Sequence, residues 1–291
     1  FQANDYRDER DLKVKKLTEL VDMDFIDELD GQISLTRNDG TPLVLRSTAF
    51  TLDTAINGNN KSFYDVIVRD PAGNETNITS TVNGGTLKGY LEMRDTIVEE
   101  ILDKLDRLAA GFVKEFNEIH QQGFGLDGST GNNFFSTLKT TVDANANNTG
   151  LATLTASNGD PSNISVDKYE ITITDSKSFS LQNLTRGASS GAFTFTQGST
   201  FNLANGFAVT ISGTPVVGAK FTLSVSERAA RNLSIASGVL SNTSKISAGV
   251  NSRTDGGNAL KLIGLQSKAI FDNVSLDSAG SGTFTFDEFY S

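Results

Sequence analysis

The residues best equipped for chemistry lie in one stretch, from Glu99 to Asn132. It holds the only histidine of the chain, His120, and the carboxylates Glu99, Glu100, Asp103 and Asp106 interspersed with Lys104 and Arg107. It also holds the run Gly123-Phe124-Gly125-Leu126-Asp127-Gly128. A histidine can act as a general base or metal ligand, two carboxylates can share acid and base roles, and G-x-G-x-x-G can cradle a dinucleotide phosphate. In each case the surroundings favour a structural role. His120 has no cysteine, second histidine or nucleophile motif to work with, and it falls at the end of a helical pattern, where a cation complements the helix dipole. The glycine run follows a helix instead of a strand and leads into Asn132-Asn133-Phe134-Phe135. That order reads as a helix stop followed by turns. The carboxylates fall on the polar flank of the same helix and are expected to be solvated. Asp127 to Asn132 has the look of a calcium loop without the bidentate glutamate such a loop needs downstream. The sequons at Asn77, Asn163, Asn183 and Asn232 follow from a composition rich in Asn, Ser and Thr. No catalytic, cofactor-binding or metal-ligating residue is assigned, and no cofactor is implied.

The elements around this stretch alternate in character. Residues 4–21 carry dense charge with Leu12, Val14, Leu17, Leu20 and Val21 at helical spacing, an amphipathic helix with one docked face. Residues 31–82 switch to period two, with Ile33, Leu35, Leu43, Leu45, Phe63, Val66 and Val68 around the turn signals Asn38-Asp39-Gly40 and Asn57-Gly58. From Thr86 to Gln121, Leu91, Val98, Leu102, Leu105, Ala109, Phe112, Phe116 and Ile119 recur at threes, fours and sevens, with Ile101 and Leu108 widening the stripe. That seam predicts one long helix in a bundle or coiled coil. Residues 138–226 read as strands again, at 169–173, 192–195, 207–211 and 220–223, and residues 227–247 and 256–270 return to a helical pattern.

The expected fold class is α+β: a discontinuous helical bundle stem (1–24, 84–137 and 227–291) with inserted antiparallel β domains. The first insertion, 25–83, is small and β-rich, and the second, 138–226, is sandwich- or barrel-like. A length of 291 residues accommodates this. The net charge of −10, without a basic patch, argues against nucleic acid or an anionic membrane as partner, and the absence of cysteine excludes disulfides and thiolate metal sites. No apolar run has transmembrane length. The N-terminal residues show neither the basic nor the apolar region of a secretory signal. Thr285-Phe286-Asp287-Glu288 is a capping box that announces a helix about one turn before the sequence stops.

Three stretches together resemble the flagellar hook-associated protein 1 family. The first is Asn4-Asp5-Tyr6-Arg7-Asp8-Glu9-Arg10-Asp11-Leu12 with Glu19 to Asp22. The second, the most family-specific, runs from Gly84-Gly85-Thr86-Leu87-Lys88-Gly89-Tyr90-Leu91-Glu92-Met93-Arg94-Asp95 through Asp103 to Ala109, Glu115-Phe116-Asn117, His120, Gly123 to Gly128 and Phe134-Phe135. The third comprises Val217 to Leu223, Ala229-Ala230-Arg231-Asn232-Leu233-Ser234, Gly256 to Leu260 and Thr285 to Tyr290. The resemblance implies a non-enzymatic structural subunit that joins hook to filament as a ring and serves motility. It implies export by the flagellar type III system without a cleaved signal, and an extracellular place in the flagellum. The implied partners are further copies of the subunit, the hook protein, hook-associated protein 3 and an export chaperone. The coiled-coil helices that line the axial channel in this family fall outside these residues, so the chain is expected to be a monomer in solution. Alternatives are another flagellar axial protein, flagellin or hook-associated protein 3, against which the Gly84 to Gly128 block argues. An extracellular binding module would expose an aromatic cluster on a β surface, and a glycan hydrolase would need two catalytic carboxylates.

Overall fold

The computed structural model describes residues 2–28, 31–272, 283–285 and 288. The chain divides into two compact units, residues 1–100 and 101–291. Both mix helices with antiparallel sheets, the expected α+β class.

In the first unit α1 (Gln2–Leu20) docks Val14 and Leu17, while Leu12 and Leu20 face solvent beside charged pairs such as Glu9–Lys13. Strands β1 (Asp24–Asp27), β2 (Ile33–Thr36), β3 (Pro42–Leu45) and β4 (Thr48–Ala49) form one antiparallel sheet in chain order. Strands β5 (Thr51–Ile56), β6 (Tyr64–Arg69) and β7 (Glu75–Asn77) form another. Ile33, Leu35, Leu43, Val68, Ile78, Val82 and Leu91 make the shared core. A fully buried guanidinium, Arg37, is held at its edge by Asp39 (2.7 Å) and the Thr81 carbonyl (2.6 Å).

The helical run begins with α2 (Gly85–Glu92), passes through one π turn (Met93–Ile97) and continues as α3 (Val98–Gln122). Gly85 is required at its start. Its φ is +76°, and a Cβ there would lie 2.5 Å from the Leu20 carbonyl. The π turn breaks the seam that the heptad spacing predicts as continuous. The Val98 amide donates five residues back, to the Met93 carbonyl, so one extra residue is absorbed and the helix phase shifts by about 100°. Leu91 is therefore 7% exposed in the core, whereas Val98, seven residues on, is 41% exposed. The β5–β6 loop grips this turn. Asn60 donates to Asp95 (3.0 Å), Lys61 pairs with Glu99, and Arg94 donates to the Tyr64 carbonyl (2.8 Å). Lys61 and Ser62 both hold left-handed φ, 49° and 63°, to make that reach.

In the second unit β8 (Thr141–Ala144), β9 (Thr153–Asn158), β10 (Tyr169–Asp175), β11 (Ser178–Asn183), β12 (Ser189–Thr194), β13 (Thr200–Asn202), β14 (Phe207–Ser212) and β15 (Lys220–Ser224) build two sheets. Their orders are β12-β11-β10-β15-β8 and β13-β14-β9, all antiparallel. Ile171, Ile173, Phe179, Phe221 and Leu223 of the first sheet share one core with Leu154, Phe207, Val209 and Ile211 of the second. The alternation in Tyr169-Glu170-Ile171-Thr172-Ile173 supplies that buried face.

Residues 227–247 do not form the continuous helix their pattern predicts but break into α4 (Ala229–Asn232), α5 (Ser237–Ser241) and a 3₁₀ turn at Thr243–Lys245, whereas 256–270 are helical over most of their length, as α6 (Gly257–Gly264) and a 3₁₀ turn at Leu265–Ser267. Serine and asparagine side chains compete for the backbone: Asn242 accepts from the Ser244 amide at 3.0 Å, and Ser241 donates to the Gly238 carbonyl. Two short strands, β16 (Phe271–Asp272) and β17 (Thr283–Phe284), pair. The capping box forms as expected, with the Thr285 amide donating to Glu288 and the Glu288 amide donating to Thr285 Oγ1. No helix of the described residues is long and apolar enough to cross a membrane.

Candidate assembly surface

The C-terminal half of α3 buries Ala109, Ala110, Gly111, Val113, Asn117 and His120 within the second unit. Leu105, Leu108, Ala109, Phe112 and Phe116 share one stripe by their three- and four-residue spacing. With Ala230 and Leu233 around α4, and Leu262, Ile263 and Leu265 around α6, they line an open apolar groove of about 770 Å³. Its walls carry little polar surface, and Leu105, Leu233 and Ile263 are 39, 44 and 66% exposed. An apolar groove lined by helices suits an apolar helix in transit from water.

The Phe134-Phe135 pair buttresses the floor. Its rings stack edge-on or tilted against Phe112 and Phe116 at centroid distances of 4.9 to 5.3 Å. Asn117 fixes both residues: its Oδ1 accepts from the Phe134 and Phe135 amides (3.0 and 2.9 Å), and its Nδ2 donates to the Phe135 carbonyl (3.0 Å).

His120 is fully buried. Nδ1 lies 2.7 Å from the Asn132 carbonyl and Nε2 accepts the Ser247 amide at 2.9 Å. Those partners define the neutral tautomer, with the proton on Nδ1. Burial holds its pKa below the ordinary 6.5, the Asn132 bond opposing only in part. The expected cation at the helix end is thus absent, because both ring nitrogens are consumed as internal ties. Asn258, also fully buried, donates to the carbonyls of Ile119 and Ser247 (3.1 and 2.8 Å). The glycine run serves the same junction. A Cβ at Gly123 would lie 2.3 Å from Asn258 Nδ2, and one at Gly125 would lie 2.5 Å from the Ser244 carbonyl. Phosphate binding plays no part in that requirement.

The polar flank of α3 is solvated at Glu100, Asp103 and Lys104, as its pattern suggests, but not at Arg107. Arg107 is 9% exposed and donates to the buried Asp167 at 3.3 Å. Asp106 accepts the amides of Arg228 and Ala230 (2.8 and 2.9 Å) and so caps α4, while Asp103 and Glu227 flank Lys168. Glu99 pairs with Lys61, as described, and Glu100 lies on the exposed surface. Asp127 is taken up by Ser129, which holds its carboxyl below the usual carboxylate range. Among the described residues no three His, Asp or Glu side chains converge on a possible metal position. The sandwich exposes no aromatic side chain among them, whereas the first unit carries Phe25 on β1, Phe63 just before β6 and Tyr64 at its start exposed. Sequence reasoning assigns no role to Asn117, Asn258 or Asp167, which bond to residues 17, 139 and 60 positions away.

Residues 1–135 match the profile of the flagellar hook-associated protein FlgK helical domain. A solved structure, that of the flagellar hook junction protein FlgK from Burkholderia pseudomallei, superposes with a TM-score of 0.67 at 27% identity, over 84% of this chain and 45% of that one. The chain is similar to flagellar hook-associated protein 1 over nearly all of its length. Flagellar hook-associated protein 1 of Escherichia coli K12 is 28% identical over 99% of this chain and 51% of its own length. The Salmonella typhimurium relative is 31% identical over 58% of this chain and 31% of its own. The chain thus spans about half the length of the longer-matching relative. The profile match takes in α1, α2 and α3 and ends at Phe135, the second ring of the aromatic buttress.

Proposed function

We propose that this chain is part of a structural subunit of the bacterial flagellum that joins hook to filament as an extracellular ring, with no catalytic role. Its partners in that reading are further copies of itself, the hook protein and hook-associated protein 3, and it leaves the cell through the flagellar export apparatus with the help of a chaperone. The observation that carries the reading is the apolar groove along α3. Large apolar side chains stand half-exposed there on a rigid, buttressed helix, which suits an assembly contact, while the nearby titratable groups are consumed by internal bonds. Deletion of the gene tests it. Hooks without filaments, with flagellin shed into the medium, are the expected outcome, and cells that keep normal filaments and swim would refute the reading.

A further inference from the structure

His120 sits where three segments meet: the end of α3, the loop 123–135 and the segment 244–258 that leads into α6. The later segment is fastened there by a small set of bonds. They are the Ser247 amide to His120 Nε2, Asn258 to the Ile119 carbonyl, the paired backbone bonds of Phe124 and Gly249 (2.9 and 3.2 Å), and the Asp127 amide to the Ser244 carbonyl (3.3 Å). Leu262, Ile263 and Leu265, just beyond, form one wall of the groove.

We propose that His120 is an acid-labile latch, in which protonation of Nε2 releases residues 244–258 from the end of α3 and frees the α6 wall of the groove. The chemistry is local. Nε2 uses its lone pair to accept the Ser247 N–H, so a proton added there takes that lone pair and sets two donors against each other. The new charge would sit against Phe116 and Phe134, at ring distances of 6.4 and 5.5 Å, with no counter-ion. The charged groups on the surrounding elements are Lys114, Glu115 and Glu118 on the last turns of α3, Asp127 in the loop, and Lys245, Arg253, Asp255 and Lys261 on the later segment and α6. None is bonded to the ring. Asp127 is held by Ser129 and Asn242, Asp255 by the amides of Val250, Asn251, Ser252 and Gly257, and Glu115 by Lys268.

The sign follows from the depressed folded pKa. Above the ordinary 6.5 both folded and released forms carry a neutral ring and the latch holds in full. As pH falls below 6.5 the released form takes up the proton first, and the released population rises about tenfold per pH unit until the folded pKa is reached. The latch is a property of the fold and stands whether or not the groove serves a flagellar junction.

The chain has one histidine, so in tag-free protein a single imidazole signal reports on it by NMR. That signal is followed from pH 8 to 5 together with amide exchange, corrected for its intrinsic pH dependence. The expected result is an imidazole that stays neutral below pH 6.5, while exchange at Ser247, Asn258 and Leu262 accelerates about tenfold per pH unit and exchange in β10 and β14 stays constant. In His120→Phe, which keeps an aromatic ring and removes the proton site, the acceleration disappears. Titration at 6.5 without any change at those amides overturns the proposal, as does the same acceleration in His120→Phe. Should that variant not fold, the wild-type titration decides alone.

Discussion

At Asp167 one carboxylate, 2% exposed, collects Arg107 (3.3 Å), Arg186 (2.5 Å) and Asn183 (2.8 Å). Taking Arg107 out of water lowers its pKa through burial, and the Asp167 charge works against that loss. Replacing one partner of such a buried pair costs far more than replacing an exposed one. Asp167→Ala is expected to destabilise the second unit by about 3–5 kcal/mol. Arg186→Ala, at a side chain 45% exposed, is expected to cost no more than about 1 kcal/mol. Urea unfolding followed by circular dichroism measures both, and equal losses would mean that Asp167 does not neutralise Arg107. Sequence reasoning places Arg107 on a solvated flank because helical periodicity cannot see a partner 60 residues away.

Among elements the π turn is the most consequential departure. Spacing alone assigns Leu91 and Val98 to one seam, since counting in threes, fours and sevens presumes an uninterrupted 3.6-residue period. A π turn leaves no mark on composition, and its grip comes from a loop some 35 residues earlier. Deleting Thr96 should convert the turn to regular α-helix and swing Arg94 or Glu99 out of reach of the β5–β6 loop. Loss of two or three of those partly exposed bonds is expected to cost about 1–2 kcal/mol. Amide exchange at Phe63 and Tyr64 would rise about tenfold for each 1.4 kcal/mol lost locally. Unchanged protection there would mean that the loop does not depend on the π turn. The long helix itself, the hairpin turn at Asn38-Asp39-Gly40 and the strands at 169–173, 207–211 and 220–223 were legible, because each repeats its own period. The segment 227–247 was not, because Ser241 and Asn242 bond to backbone there and override the apolar spacing.

For the molecule as a working part, the groove is the feature on which the proposed assembly role rests. Ile263 lines it and is 66% exposed, so Ile263→Asp should change stability by no more than about 0.5 kcal/mol. In the complete protein it should nonetheless prevent complementation of the gene deletion, read as filament counts by electron microscopy with the variant's thermal unfolding measured alongside. A stable variant that restores full-length filaments would remove the groove from the assembly. Part of this surface was legible: the stripe Leu105 to Phe116 stands out by spacing and the α6 wall reads as helical, whereas the four-residue α4 is too short to show a period and nothing in the spacing sets these walls against one another.

The sealed imidazole has one more consequence, electrostatic and colloidal. With no cysteine and a single histidine that is neutral at physiological pH, the folded chain has no side chain that buffers between about pH 6.5 and 8. Its formal side-chain charge of −10 therefore hardly changes across that window. Repulsion between neighbouring copies then responds to ionic strength and hardly at all to proton concentration.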